Sequence, residues 1–194
     1  MRSPARVGPP IEILLVLSAA VYHSWFKVLL VLLAHALVPR LEYVAAAELE
    51  SIALASLPPN VREAFDKSPE AKLYAISTSI NPYYLHGDFN GDGQFDTAIL
   101  VVERRTGKKG VVIIHGGSRR LHLFGAGRDW GNGSDDFPGL SAWYVYRRGQ
   151  VDQGATDKLP PRLVASALML IKTESASALL YWDGKRYRWY QQGD

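Results

Sequence analysis

The sequence predicts an α+β domain that consists mainly of an antiparallel β-sheet of about seven strands, with one or two short helices at its N-terminal end. Three observations support this prediction. Runs of β-branched and aromatic residues recur from residue 72 onward, which is typical of strands. Glycine-containing turns separate these runs. Helical patterns, in contrast, precede residue 68.

Two segments near the start of this domain are predicted to be helical. Residues 48–57 have helical composition and lead into a pair of prolines. A second, short helix is expected over residues 61–67, because Val61, Ala64 and Phe65 fall on one helical face. Asn60 is placed to cap this second helix.

The strands follow in order. The run at residues 97–104 is apolar enough for a strand that is buried on both faces, and residues 163–172 suit a strand or a helix, with a strand favoured. Asp183-Gly184 between two aromatic-rich runs predicts a hairpin with a type I′ turn. The predicted strands are residues 72–80, 97–104, 111–115, 120–124, 142–147, 163–172, 179–182 and 185–191.

Residues 1–47 differ from the rest of the chain. Arginines precede an apolar run, Lys27 interrupts it, and a second apolar run at 28–38 leads to three alanines at 45–47. This pattern is typical of a signal peptide, and the 28 residues of 11–38 are also long enough for a membrane anchor. A buried soluble helix is the third reading. We therefore expect a signal peptide or anchor at 1–47 and a single extracytoplasmic domain at 48–194, which would meet a membrane only through an uncleaved N-terminal segment.

Charge and cysteine content exclude several classes of protein. The 194 residues carry a formal net charge of +3, and loss of residues 1–47 would leave +1. Basic residues occur in short pairs without a long stripe, so no nucleic-acid partner is expected. The chain has no cysteine, which excludes disulfides, thiolate zinc sites and cysteine nucleophiles.

The most informative segment is the acidic, glycine-containing stretch at residues 88–96. Side-chain oxygens of Asp88, Asn90, Asp92 and Asp96, together with the Gln94 carbonyl, could surround one ion. Such hard oxygen ligands favour calcium over zinc or copper. The glycines after Asn90 and Asp92 permit the backbone wrap that such a loop needs. An ordinary turn with solvated carboxylates is the alternative.

The loop differs from an EF-hand. Counted from Asp88, position 12 is Ile99 rather than glutamate, and a predicted strand rather than a helix follows the loop.

Residues 87–102 resemble the calcium loop of FG-GAP/VCBS-type repeats, which occur in integrin α propellers and in many secreted bacterial proteins. The resemblance implies calcium held by Asp88, Asn90, Asp92 and Asp96 in a β-hairpin loop. The motif recurs once per blade in those families and occurs once here. At least four blades make a propeller, so a full propeller is not expected.

Four tryptophans after the leader are candidates for ligand contacts: Trp130, Trp143, Trp182 and Trp189. Alternate residues of a strand face the core, and exposed aromatic rings on a sheet can stack on sugars or form an interface. The polar loop at 125–141 is longer than about 12–15 residues, a length that usually indicates function or disorder.

These observations predict a secreted or envelope-associated, calcium-binding domain that binds a carbohydrate, an envelope polymer or a protein without catalysis. The alternatives are a small extracellular hydrolase that uses Asp129, Asp135 and Asp136 of the 125–141 loop, and an accessory or inhibitor protein. His115 and His122, at the facing ends of adjacent strands, suit structural roles better than a zinc pair. The sequence does not determine the oligomeric state.

Overall fold

The computed structural model describes residues 27, 44–130 and 134–193. The chain divides into two compact units, Met1–Leu49 and Glu50–Asp194. The predicted leader lies outside the described residues, apart from Lys27 and residues 44–47, so its role stays a prediction. Within the described ranges, no helix combines the length and the apolar character needed to cross a membrane.

Helices form the first part of the described chain. Residues 44–55 are helical (α1), helix α2 spans Pro59–Lys67, and a 3₁₀ turn follows at Ala71–Leu73. Helix α2 begins at a proline because proline's fixed φ suits the first helical position. The predicted cap at Asn60 is therefore wrong: Asn60 lies inside the first turn, and none of the described side chains caps the helix.

Among the described residues, nine strands form two antiparallel sheets, which confirms the predicted α+β class. Sheet A pairs β3 with β4 and β4 with β5, while β1 and β2 lie one after the other along the free side of β3. Sheet B has the order β6-β7-β8-β9. The strands are β1 Tyr74–Ile76, β2 Tyr84–Gly87, β3 Asp96–Glu103, β4 Lys109–Ile114, β5 Leu121–Gly125, β6 Ala142–Tyr146, β7 Ala167–Lys172, β8 Ala176–Trp182 and β9 Tyr187–Gly193.

Strand β3 is buried on both faces, as its apolar run predicts. Ile99 and Val101 pack with residues of α1 and α2 on the outer face of sheet A. Ala98 and Leu100 point the other way, into a core shared with sheet B. A third apolar cluster lies around Val151, Leu163, Ala167, Met169, Leu179 and Tyr190, where the connection between β6 and β7 packs on sheet B.

The structure corrects the strand prediction in three places. Strand β2 was missed, because its four residues are too short to show a period of their own. The strand predicted at 72–80 is reduced to β1, since a 3₁₀ turn precedes it and the chain leaves the sheet after Ile76. The final hairpin is confirmed, but its turn is not type I′: Gly184 has positive φ, whereas Asp183 does not, and type I′ requires both.

Candidate ion loop and ligand cavity

The segment at residues 88–96 connects β2 to β3 as a hairpin loop, in which Gly87 pairs with Asp96. Its side chains fold back on its own backbone. Asp88 accepts hydrogen bonds from the N–H groups of Gly91 (2.6 Å) and Gly93 (3.0 Å). Asn90 Oδ1 accepts one from the Asp92 N–H at 2.9 Å. This pattern holds the oxygen-bearing side chains close to the loop.

Two glycines are needed for this wrap. Gly91 has φ +80° and Gly93 has φ +83°, which is the left-handed region that other residues rarely adopt. Asp92 continues the pattern by accepting the Gln94 N–H at 2.8 Å. That bond, with a second one from the Asn90 amide, holds the pKa of Asp92 below its ordinary value.

Asp96 has a different environment from the other predicted ligands, because its side chain is fully buried. Its Oδ2 accepts the Phe89 N–H at 2.8 Å, and its Oδ1 accepts the Gly116 N–H at 2.9 Å. Burial raises the pKa of this carboxyl group, and the two N–H donors oppose that shift. Asp96 therefore ties the loop to the turn between β4 and β5.

The loop is also tied to sheet B. The Ser166 N–H, just before β7, donates to the Asp88 carbonyl at 2.9 Å. A Cβ added at Gly91 would lie 3.4 Å from the Val164 carbonyl oxygen and 3.5 Å from the Ala165 methyl group. The backbone thus approaches the 164–166 segment closely, which is a second reason for glycine at position 91.

The donor set of the loop fits a hard cation, since it offers carboxylate, amide and carbonyl oxygens. The present arrangement does not focus them on one point: among the described residues, no three acidic or histidine side chains converge at metal-binding distance. A bound ion would therefore use the Asn90 amide and the Gln94 carbonyl beside the carboxylates. It would also draw Asp88 and Asp92 away from some of their N–H partners.

A mostly buried polar cluster lies between the two sheets, near Asp96. His115 and Tyr187 are buried in it, and His122 and Trp182 are partly buried. His115 Nε2 and the Tyr187 hydroxyl are 2.8 Å apart, and the rings of His115 and His122 are 4.5 Å apart. Burial lowers the pKa of both histidines, that of His122 to about 4, and raises the pKa of Tyr187. Both imidazoles are therefore neutral at neutral pH. His122 Nε2 is buried and has no hydrogen-bond partner among the described residues.

A cavity of about 320 Å³ opens beside sheet B and is covered on one side by residues 134–140 of the long loop. Its wall is apolar, and its polar groups both donate and accept hydrogen bonds. It is lined by Ser134, Asp136, Phe137, Pro138, Leu140, Leu170, Lys172, Ala176, Ser177, Ala178, Trp189 and Gln191.

The four predicted ligand-contacting tryptophans occupy different places. Trp189 is partly buried and lines the cavity, and its ring is 5.7 Å from that of Trp130. Trp182 packs on the two histidines of the buried cluster. Trp143 lies in the core, where its Nε1 donates to the Pro82 carbonyl at 2.7 Å. One of the four, Trp189, therefore combines an indole ring with open space.

The three aspartates of the hydrolase alternative also have different surroundings. Asp135 forms an ion pair with Lys108. Asp136 Oδ1 accepts the Lys109 N–H at 2.7 Å, and Asp136 lines the cavity. Asp129 is exposed and is not part of the cavity lining described above.

Sequence reasoning missed much of the cavity. Lys172, Ser177 and Gln191 carry no motif and belong to three different strands, so their proximity follows from sheet pairing. Sequence reasoning also missed Tyr187, which belongs to no motif. No signal in the sequence connects it to His115, which lies 72 positions earlier.

No family model matches the chain, and no curated protein and no solved structure is significantly similar to it. The likeness to FG-GAP/VCBS-type repeats consequently rests on the loop residues themselves.

Proposed function

We propose that this protein is an extracytoplasmic, non-catalytic binding domain that holds a carbohydrate in the cavity beside Trp189, with calcium as a structural ion in the 88–96 loop. The cavity is the observation that supports a binding role, because an indole ring and several polar side chains line the same space. Its volume of about 320 Å³ lies at the lower end of the range for small-molecule sites, roughly 300–1,000 Å³.

A sugar matches this lining on chemical grounds. Its C–H face packs on aromatic rings, and its hydroxyl groups both donate and accept hydrogen bonds. The cavity provides Trp189 and Phe137 for the first contact, and Lys172 and Asp136 for the second. The Lys172 stem lies against Gly139, where an added Cβ would be 3.0 Å from its Cε. That contact restrains the side chain before any ligand arrives.

A binding role is favoured over hydrolysis by the carboxylates of the cavity. Asp136 is the one carboxylate among the described lining residues, whereas cleavage of a glycosidic bond ordinarily uses two. Asp135, the neighbouring acid, is engaged with Lys108.

The sugar-binding half is tested on a glycan array, followed by calorimetry with each glycan that binds. Trp189→Ala should abolish binding or weaken it more than about tenfold, because aromatic anchors dominate such sites. Tyr144→Ala is the matched control, since Tyr144 is an aromatic residue of sheet B that is 46% exposed and lies outside the cavity lining. Equal binding by both variants and the wild type would place the ligand elsewhere.

The calcium half is tested by titrating the purified, EDTA-treated protein with calcium and, separately, with magnesium. Calcium should release or absorb heat and raise the melting temperature, since an ion that binds the folded state stabilises it. Asp88→Asn should weaken this effect, because it removes charge from the predicted ligand set. If millimolar calcium produces neither heat nor a shift in melting temperature, the loop is an ordinary turn.

A further inference from the structure

The connection between β6 and β7, residues 147–166, contains a second concave surface that the proposed sugar site does not use. It has no regular secondary structure and is longer than the roughly 12–15 residues above which such loops are usually functional or disordered. Its groove encloses about 930 Å³. The groove is lined by Arg148, Gly149, Gln150, Val151, Leu159, Pro160, Pro161, Arg162, Leu163 and Val164.

The charged side chains that line the groove are all positive. Arg148 and Arg162 are its charged lining residues, and no carboxylate lies among the described residues that line it. Neither arginine forms an ion pair within the described ranges. Both guanidinium groups are thus available to carboxylates, which they can bind through two parallel hydrogen bonds.

Apolar side chains stand beside these charges. Val151 and Leu163 are buried under the groove, whereas Leu159 is 87% exposed and Val164 is 43% exposed. Two prolines follow Leu159 and fix the local backbone. Exposed apolar groups next to arginine are typical of protein interfaces rather than of an ordinary solvated loop.

Hydrogen bonds to strand β9 and within the loop hold the loop in place, so the groove is preformed. The Gly154 N–H donates to the Tyr190 hydroxyl at 2.9 Å, and the Ala155 N–H donates to the Gln192 carbonyl at 3.2 Å. The Gln153 amide donates to the carbonyl oxygens of Thr156 and Lys158. A partner therefore gains contacts without the full entropic cost of ordering this loop.

We propose that this groove, lined by Arg148, Leu159, Pro160, Pro161, Arg162 and Val164, binds an acidic segment of a protein partner that also carries an apolar side chain. Charge complementarity requires carboxylates opposite the arginines. The concave shape and the exposed leucine favour a peptide over a flat anionic membrane, which would not enter the groove. The groove shares no lining residue with the proposed sugar cavity.

Fluorescence anisotropy of the purified protein with three labelled synthetic peptides tests this proposal. The peptides have the repeats Glu-Glu-Leu, Glu-Glu-Ser and Lys-Lys-Leu. The first should bind, and the other two should bind about tenfold more weakly or not at all, since each lacks one of the two required contacts. Added salt should weaken the binding, because exposed charges are screened.

Variants separate the groove from the rest of the surface. The double substitution Arg148→Gln with Arg162→Gln should weaken Glu-Glu-Leu binding about tenfold, and Leu159→Ser should weaken it in the same direction. Arg147→Gln is the matched control, since Arg147 is an exposed neighbour outside the groove lining. Melting curves verify that all variants fold.

Three outcomes would overturn the proposal. The first is equal binding of the acidic and basic peptides, or no binding of any peptide. The second is unchanged binding by the Arg148, Arg162 and Leu159 variants. The third is binding to vesicles of phosphatidylglycerol and phosphatidylcholine without binding to the peptides, which would make the surface a membrane contact.

Discussion

The loop at 88–96 and the segment at 134–140 both present acidic side chains near the surface, but they are held in different ways. In the first, Asp88, Asn90 and Asp92 accept N–H groups two to five residues ahead. In the second, Asp135 and Asp136 bond to Lys108 and Lys109, 27 positions away. Local bonds leave a pattern in the sequence, whereas distant bonds leave none.

Asp96 is the exception within the loop, since one of its two bonds reaches Gly116 on another hairpin. This exception predicts where substitutions in the loop matter most. We expect loss of a distant bond to lower the free energy of unfolding more than loss of a local bond. Equal losses would contradict this expectation.

The largest effect is expected at Asp96. Asp96→Asn should lower the free energy of unfolding by about 3 kcal/mol, because an amide nitrogen cannot accept a buried N–H. The measurement is urea denaturation in EDTA, which removes any contribution of a bound ion. Asp92→Asn is the control, since Asp92 is exposed and bonds locally. Equal losses in the two variants would show that Asp96 does not anchor the loop.

The free energy of unfolding should depend on pH through the histidines of the buried cluster beside Asp96. His122 has a folded pKa of about 4, against 6.5 for the free side chain. The unfolded chain therefore takes up the proton more readily, so stability is complete above pH 6.5 and falls as pH drops toward 4. Allowing for partial solvent screening, we expect His122 to contribute about 1–2 kcal/mol to this fall.

His122→Phe isolates that contribution from its neighbours. His115 also has a lowered pKa and acts in the same direction, whereas the raised pKa of Asp96 acts in the opposite direction. Urea midpoints at pH 7 and pH 4.5 should differ less in the variant than in the wild type. An unchanged difference would mean that His122 does not titrate as a buried group.

A smaller effect is expected in the 134–140 segment. Asp136→Ala removes the acceptor for the Lys109 N–H and should cost about 1 kcal/mol. Hydrogen exchange should show faster exchange of the Lys109 amide. Asp135→Ala is the control, because it breaks only the ion pair with Lys108. Faster exchange in the control alone would reverse the roles assigned to the two aspartates.

The smallest effect is expected at Asn90. Asn90→Ala should cost about 0.5 kcal/mol without calcium, because the turn bond that it removes lies where water can replace it. In the presence of calcium the same variant should bind the ion about tenfold more weakly, since it removes a proposed ligand. A large loss of stability in EDTA would show that the local bonds matter as much as the distant ones.

The fold class and most strands were predictable because their signal lies in short stretches of sequence. The apolar run of β3 and the aromatic-rich runs of β8 and β9 on either side of Asp183-Gly184 are each visible without knowledge of a partner. Strand β2 was not, because Tyr84–Gly87 is a strand by virtue of pairing with β3. The Asn60 cap failed for a different, local reason: the proline pair before it already sets the start of α2.

The candidate sites divide in the same way. The 88–96 loop could be read from its spacing, since its glycine positions and turn-forming side chains depend on neighbours within a few residues. The choice among the four tryptophans could not, since burial of Trp143 and exposure of Trp189 to the cavity depend on how sheet B packs.

The sequence by itself determined the α+β class, the doubly buried strand β3 and the acidic loop that leads into β3. These features depend on residue periods and offsets that covalent geometry imposes. The tertiary structure alone decided that Asp96 is a buried anchor, that Tyr187 meets His115, and that Trp189 borders a cavity. The physical reason is that these contacts join residues far apart in the chain, and only sheet pairing and side-chain packing select them.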